Sequence, residues 1–188
     1  MKTTHYLKTA IIAITVLFSS CTNDEEPGSN DSGSGPFVAK VDNQSFPKAD
    51  IKLSKAKYVS STKMLQIIGQ PADQKETIVL TLVSFGEKVA AVTDWKAGTY
   101  DFNPAQMTTA NYMASAGYSK WNGNSYDAWN MEWEYVQTGS IIIESNDGSK
   151  IKGTFSFDAV KKNNNGSYDT GSIKKITEGA FDLSISNY

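Results

Sequence analysis

The chain contains no arginine: all 18 of its basic residues are lysine. Bidentate clamps on phosphate or carboxylate depend on the planar guanidinium fork, so none can be built here. Histidine occurs once, at His5, and cysteine once, at Cys21. If the first twenty residues are removed, no imidazole remains. A Ser-His-Asp or Cys-His centre is then excluded, as is a zinc site built on nitrogen and sulfur ligands. Long apolar runs are missing too. The most apolar stretch, Ala10 to Phe18, is far shorter than the roughly 20 residues a membrane-spanning helix needs. Lysines are not clustered into a basic footprint, so nucleic acid is not an expected partner.

What the start of the chain does contain is an export pattern. Lys2 and Lys8 precede the apolar run "AIIAITVLF", and Ser19 and Ser20 precede Cys21. These features read as a secretory signal over residues 1–20. "LFSSC" resembles a bacterial lipobox, with Phe18 and Ser20 at its two loosest positions. The resemblance implies that the Cys21 thiol takes a diacylglycerol, that the chain is cut before it, and that the new amine is acylated. Several acyl chains anchor stably where one does not. Asp24, Glu25 and Glu26 follow at once and resemble the acidic export signal of Bacteroidetes-type lipoproteins. That implies outer-membrane placement facing outward. The mature chain keeps sixteen lysines against twenty acids, a side-chain net of −4. Residues 21–36, with "PGSNDSGSGP", have no core-forming side chain and read as a disordered tether reaching about 20 Å.

Residues 37–188 form the foldable remainder, one domain long enough for a core. Its apolar residues alternate with period two, and turn residues punctuate it. "FVAKVD" places Phe37, Ala39 and Val41 on one face. "MLQIIG" and "ETIVLTLVSF" are the most apolar strands, and "AGTYDF" is a short one. "EWEYVQTGSIIIES" is expected as a single strand reaching Asn146, followed by a tight Asp147-Gly148 turn. "KIKGTFSFDAV" then sends Phe155 and Phe157 inward. Asn163 to Gly166 turns the chain, and "GAFDLSI" closes it with Phe181, Leu183 and Ile185 on one face. Asn103 before Pro104 suggests a short capped helix through Ala110. The expected architecture is all-β: an antiparallel β-sandwich or flattened β-barrel of roughly 8–10 strands.

"FVAKVDNQSF", "GTYDF", Tyr112, "GSIIIESNDGSKIKGTFSFDAV" and "ITEGAFDLSI" occur in an order that resembles an uncharacterised all-β domain of flavobacterial-type lipoproteins. Asn43 stands where that pattern usually has glycine. The resemblance implies a fold and brings no catalytic residues.

Three stretches are candidates for chemistry. "YSKWNGNSYDAWNMEWEY", Tyr118 to Tyr135, holds Trp121, Trp129 and Trp133. Aromatic rings beside amides suit a sugar, whose C–H face stacks on a ring while its hydroxyls bond to polar groups. Trp121, Asn122, Asn124, Tyr126 and Asp127 are the expected ligand-binding residues, on a turn and partly exposed. Trp129 and Trp133 are expected in strand or core. Glu132 and Glu134 faintly resemble the acidic strand of laminarinase-type glycoside hydrolases, but Gln137 stands where the third acid belongs. Two carboxyls on one strand face lie about 6.5 Å apart, against the roughly 5 Å a retaining hydrolase uses. "NDEEPGSND" and "SNDGSK" lack the twelve-residue calcium loop with its terminal glutamate.

The reading that follows is an outer-membrane, surface-exposed lipoprotein with a non-catalytic binding or adhesion role. Its partners would be the membrane, through the lipid anchor, and a glycan or surface protein. The domain is expected to be monomeric and to need no cofactor or metal. A β-barrel carrier of a small apolar ligand is the alternative, and a carboxylate-only glycoside hydrolase the third. Cys21→Ser should abolish partitioning into the detergent phase on phase separation. A mutant that still partitions like the wild type would refute the anchor.

Overall fold

The structure is a computed structural model describing residues 35–85, 89, 91–106 and 110–187. Cys21, Asp24, Glu25 and Glu26 lie outside the described residues. Eleven strands follow one another: β1 Phe37–Val41, β2 Gln44–Ser45, β3 Lys55–Val59, β4 Met64–Gly69, β5 Glu76–Ser84, β6 Gly98–Asp101, β7 Tyr112–Trp121, β8 Tyr126–Asn130, β9 Gly139–Asn146, β10 Lys150–Lys162 and β11 Tyr168–Asn187. The domain is all-β, as expected, with one strand more than the upper bound of the sequence reading.

The pairing makes two layers joined at two corners. One layer runs β2-β1-β11-β10-β9-β6 and the other β3-β4-β5-β7-β8. β10 pairs with β9 over its first half and with β8 at its far end, through Val160, Lys161 and Lys162. β11 pairs with β1, then crosses to the second layer and pairs with β3 at residues 185–187. That last pairing is parallel, so the sheet is mixed and not purely antiparallel. The ring β11-β3-β4-β5-β7-β8-β10 closes on itself, which makes the sandwich a flattened barrel.

The interior is filled by the alternate residues that the sequence places inward. Phe37, Ala39 and Val41 are buried, as are Phe155, Phe157, Phe181 and Leu183. Phe37 packs on Phe155 at 5.2 Å between centroids and on Phe46 at 6.0 Å, and Phe102 meets Phe157 edge-on at 6.1 Å. The aromatic core needs glycine partners. A Cβ on Gly69 would lie 2.2 Å from the Phe37 ring, and one on Gly179 would lie 2.6 Å from Phe155.

Turn chemistry follows from backbone sign. Asp42 and Asn43, the two loop residues between β1 and β2, have φ of 50° and 65°. A two-residue hairpin with both residues left-handed is a type I′ turn, where Asn substitutes for Gly at little cost. Asp147-Gly148 turns β9 into β10, with Asp147 Oδ1 accepting from the backbone N–H of Ser149 and of Lys150, both at 2.8 Å.

The expected strand beginning at Glu132 is corrected. β9 begins only at Gly139, and residues 132–136 form a helical turn in which the N–H groups of Tyr135 and Val136 both donate to the Glu132 carbonyl at 2.9 Å. Two constraints force this. Val136 must be buried, and Gly139 has φ of 128° with a would-be Cβ only 2.3 Å from the Ser156 carbonyl. The chain therefore cannot run straight into β9. Farther back, Asn103 Oδ1 accepts from the N–H of Ala105 at 2.8 Å, a cap of the kind expected, but residues 107–109 of the proposed helix lie outside the described residues.

Two buried polar atoms, Tyr58 Oη and Trp95 Nε1, have no hydrogen-bond partner among the described residues. Tyr118, equally buried, donates to Glu76 Oε2 at 2.8 Å. A buried donor without a partner pays its desolvation for nothing, whereas a bond to a charged acceptor is worth about 1.5–3 kcal/mol. Tyr58→Phe should therefore melt at or above the wild-type temperature. Tyr118→Phe should lose about 1.5 kcal/mol. Thermal unfolding of the two variants checks this, and the reverse order would refute it.

Candidate functional site

The hairpin of β7 and β8 carries all five expected ligand-binding residues, and its turn is built by one amide. Asn122 Oδ1 accepts from the N–H groups of Asn124 at 3.0 Å and Ser125 at 2.9 Å. The Asn122 N–H donates to the Ser125 carbonyl, and Gly123 takes φ of 100°, which favours glycine. The hairpin is then pinned from the side by the turn between β4 and β5. Trp121 N–H donates to the Lys75 carbonyl at 2.7 Å, and the Tyr126 hydroxyl donates to the Gln74 carbonyl at 2.8 Å.

Register divides the five residues between two faces. Trp121 pairs with Tyr126, and Lys120 pairs with Asp127. Neighbours along a strand point to opposite sides, so the two pairs face opposite ways. Trp121 and Tyr126 meet on the outer side with centroids 5.1 Å apart and planes tilted by 59°. Trp121 is half-buried and Tyr126 is 42% exposed. Their mutual tilt gives an angled cleft edge in place of one flat platform. Asn122 and Asn124 are exposed at the tip, where Asn122 is committed to the turn.

Asp127 belongs to the other side. It pairs with Lys161 at 3.0 Å, and that lysine, helped by Asn122, holds its carboxyl below the usual carboxylate range against the cost of desolvation. The same lysine lies 5.5 Å from the Trp129 ring centroid, and Lys174 lies 5.6 Å from it. Trp129 is buried as expected, packs on Tyr118 at 5.6 Å, and donates from Nε1 to Ser172 Oγ at 3.2 Å. Lys174 is held in turn by Asp42 at 2.6 Å. Burial works against the Asp42 carboxylate, but Lys174 and the Lys175 N–H outweigh it and hold its pKa down. Asp42, Lys174, Trp129, Lys161 and Asp127 thus form a chain of contacts, capped by charge at both ends, across one end of the barrel. The sequence reading missed this group.

Trp133 is corrected: it is half-buried in the turn after β8, neither strand nor core. Glu132 and Glu134 sit in that turn and share no strand face, so the spacing argument for a carboxylate pair does not apply. Glu132 accepts from the Tyr168 hydroxyl at 2.8 Å, and Glu134 is exposed. Tyr135 and Tyr168 make a second aromatic pair with centroids 5.2 Å apart. Among the described residues no three His, Cys, Asp or Glu side chains group as metal ligands.

Two tyrosines are set to resist ionisation. Burial first, then the Glu76 carboxylate, pushes Tyr118 strongly up, and burial with Glu132 pushes Tyr168 to about 12. A folded-state pKa above the unfolded value stabilises at pH below the unfolded value, and the gain is lost as pH rises through the folded one. Tyr168 should therefore contribute stability that fades from the ordinary 10.0 toward about 12, and the contribution of Tyr118 should go on fading at still higher pH. Tyrosinate absorbance should show Tyr168 as a late titration missing from Tyr168→Phe, and Tyr118 ionising only on unfolding. A Tyr168 that titrates at the ordinary 10.0 would refute the Glu132 contact.

No curated protein and no solved structure matches the chain. A family described as a domain of unknown function (DUF6252) matches over residues 34–182, which takes in every strand but the very end of β11, and the chain belongs to that family.

Proposed function

We propose that the protein is a flavobacterial-type lipoprotein, anchored in the outer membrane through Cys21 and displayed outward. In this reading the β domain is a non-catalytic binding or adhesion module, and its ligand is a glycan. The observation that carries the reading is the Trp121–Tyr126 pair, one ring half-buried and the other exposed, on a hairpin held by Asn122 and by the Gln74 and Lys75 carbonyls. Aromatic rings pre-set on a rigid turn lose little freedom when a ligand docks. The carrier alternative draws less support, because the space between the layers is packed with phenylalanine. The two grooves described, of about 300 and 260 Å³, lie on outer faces. The hydrolase alternative draws less still, since Glu132 is bonded to Tyr168.

Display and binding are tested together. Proteinase added to intact cells should degrade the domain, and replacing Asp24, Glu25 and Glu26 by Ala should protect it. Retardation electrophoresis in polysaccharide gels should show binding that Trp121→Ala and Tyr126→Ala lose. Both variants lose ring packing and Tyr126→Ala also loses the bond to the Gln74 carbonyl, so each should cost about 1–1.5 kcal/mol, well short of a core tryptophan. Trp129→Ala should cost roughly 3–5 kcal/mol. Trp121→Ala as destabilised as Trp129→Ala, or loop variants with full binding, would overturn the assignment.

A further inference from the structure

The two outer faces of the flattened barrel differ in charge. On the β1-β11-β10-β9 side, ion pairs cross the strands: Lys40 with Glu178 at 2.8 Å and Lys152 with Glu144 at 3.0 Å. On the other side the strands β4, β5, β7 and β8 direct no charged residue outward over residues 64–68, 77–83, 113–119 and 128–130. Cross-strand register arranges that face in rows. Gln66, Thr81 and Ser115 make one polar row, and Ile68, Val79 and Gly117 make the next, apolar one. Rows on one face of a sheet lie about 6.7 Å apart. Thr81 is buried and the other five are half-buried or glycine, so none stands off the surface. Lysines return at the rims: Lys55 and Lys57 on β3, level with Ile68 and Gln66, and Lys162 beside β8.

We propose that this face binds an uncharged polysaccharide chain, which runs across the rows to the Trp121–Tyr126 corner. The inference rests on the glycan reading above and extends it from the hairpin to the whole layer. An uncharged sugar chain presents C–H faces alternating with hydroxyl edges, which match apolar and amide or hydroxyl rows. A charged polymer or a lipid headgroup lying over β4, β5, β7 and β8 would lose water and find no counter-charge on those strands between the rims. A protein partner would look for Trp, Tyr or Arg anchors at the centre of the contact, and the centre of this face has none.

The test uses the mature protein purified in detergent. Retardation is measured with soluble neutral probes (a β-glucan, an α-glucan, a mannan and a xylan) and with polygalacturonate as the charged one. Val79→Lys and Ser115→Lys put an ammonium under the bound chain and should weaken neutral binding about tenfold or more. Thr154→Lys, on the opposite outer face, should leave it unchanged. Gln66→Glu covers the case in which Val79→Lys and Ser115→Lys do not fold, and should weaken binding in the same direction. Full binding in folded face variants, with loss in Trp121→Ala, overturns this inference and leaves the hairpin reading standing. Retention of polygalacturonate alone overturns the neutral-chain assignment only. Retardation by no polymer overturns both readings. Self-association of the wild type that Val79→Lys removes would assign the face to a second copy of the chain and overturn the inference.

Discussion

The antiparallel ladder of β10 and β11 is the constraint on which the other pairings depend. It runs from Lys150 opposite Ser184 to Lys162 opposite Tyr168, and it holds register through two irregularities. At the first, Phe155 faces Gly179 and Phe157 faces Ile176, so Thr177 and Glu178 bulge out of the ladder. Glu178 takes φ of 51°, a conformation that costs a side chain energy, and its pairing with Lys40 helps to hold it there. The bulge raises the local twist. Both strands can then leave the first layer at opposite ends, β10 toward β8 and β11 toward β3. Without those bends β3 and β8 would be open edges as well as β2 and β6. With them the sheet closes, and the Phe37–Phe155–Phe181 core is enclosed on both sides.

Much of this was legible in the sequence where one face meets core and the other meets water. The alternation of β1 and β10 names the inward residues correctly, because burial has the same period as the pleat. The legible part ends where partners matter. "KAKYV" carries two lysines and drew no strand assignment, yet its Ala56 and Tyr58 are among the most buried residues. Its parallel pairing with β11 joins residues far apart in sequence, and period two reports faces, never neighbours. "MEWEY" alternates as well as any strand but turns, because the demand lies elsewhere: Val136 must be buried and only glycine fits at position 139.

The candidate site was legible in its turn and illegible in its faces. Asn-Gly between two apolar runs is turn chemistry, and the hairpin tip falls where that chemistry puts it. Grouping Asp127 with Tyr126 followed the chain and neglected the pleat, which sends adjacent residues to opposite sides. Asp127 instead joins Lys161, Lys161 lies over Trp129, and Lys174 lies over the same ring. Those partners come from three strands and the β1–β2 turn, so no spacing in the sequence could have signalled them.

The two ends of the barrel are closed by different means, and the difference bears on how the domain holds its shape. At the Tyr112 end of β7, Trp95, Tyr100 and Tyr112 stack edge-on at 5.6 and 5.2 Å, and Asn146 Nδ2 ties the segment down through the Val92 and Trp95 carbonyls. At the Tyr118 end, lysines cover Trp129 and acids hold the lysines. A half-exposed ion pair in water is worth little alone, but here each lysine also shields an aromatic ring, so its stem does apolar work while its head stays wet. Among the described residues, closure leaves β2 and β6 as the outermost strands, two and four residues long. Short edges offer little template for pairing with another chain.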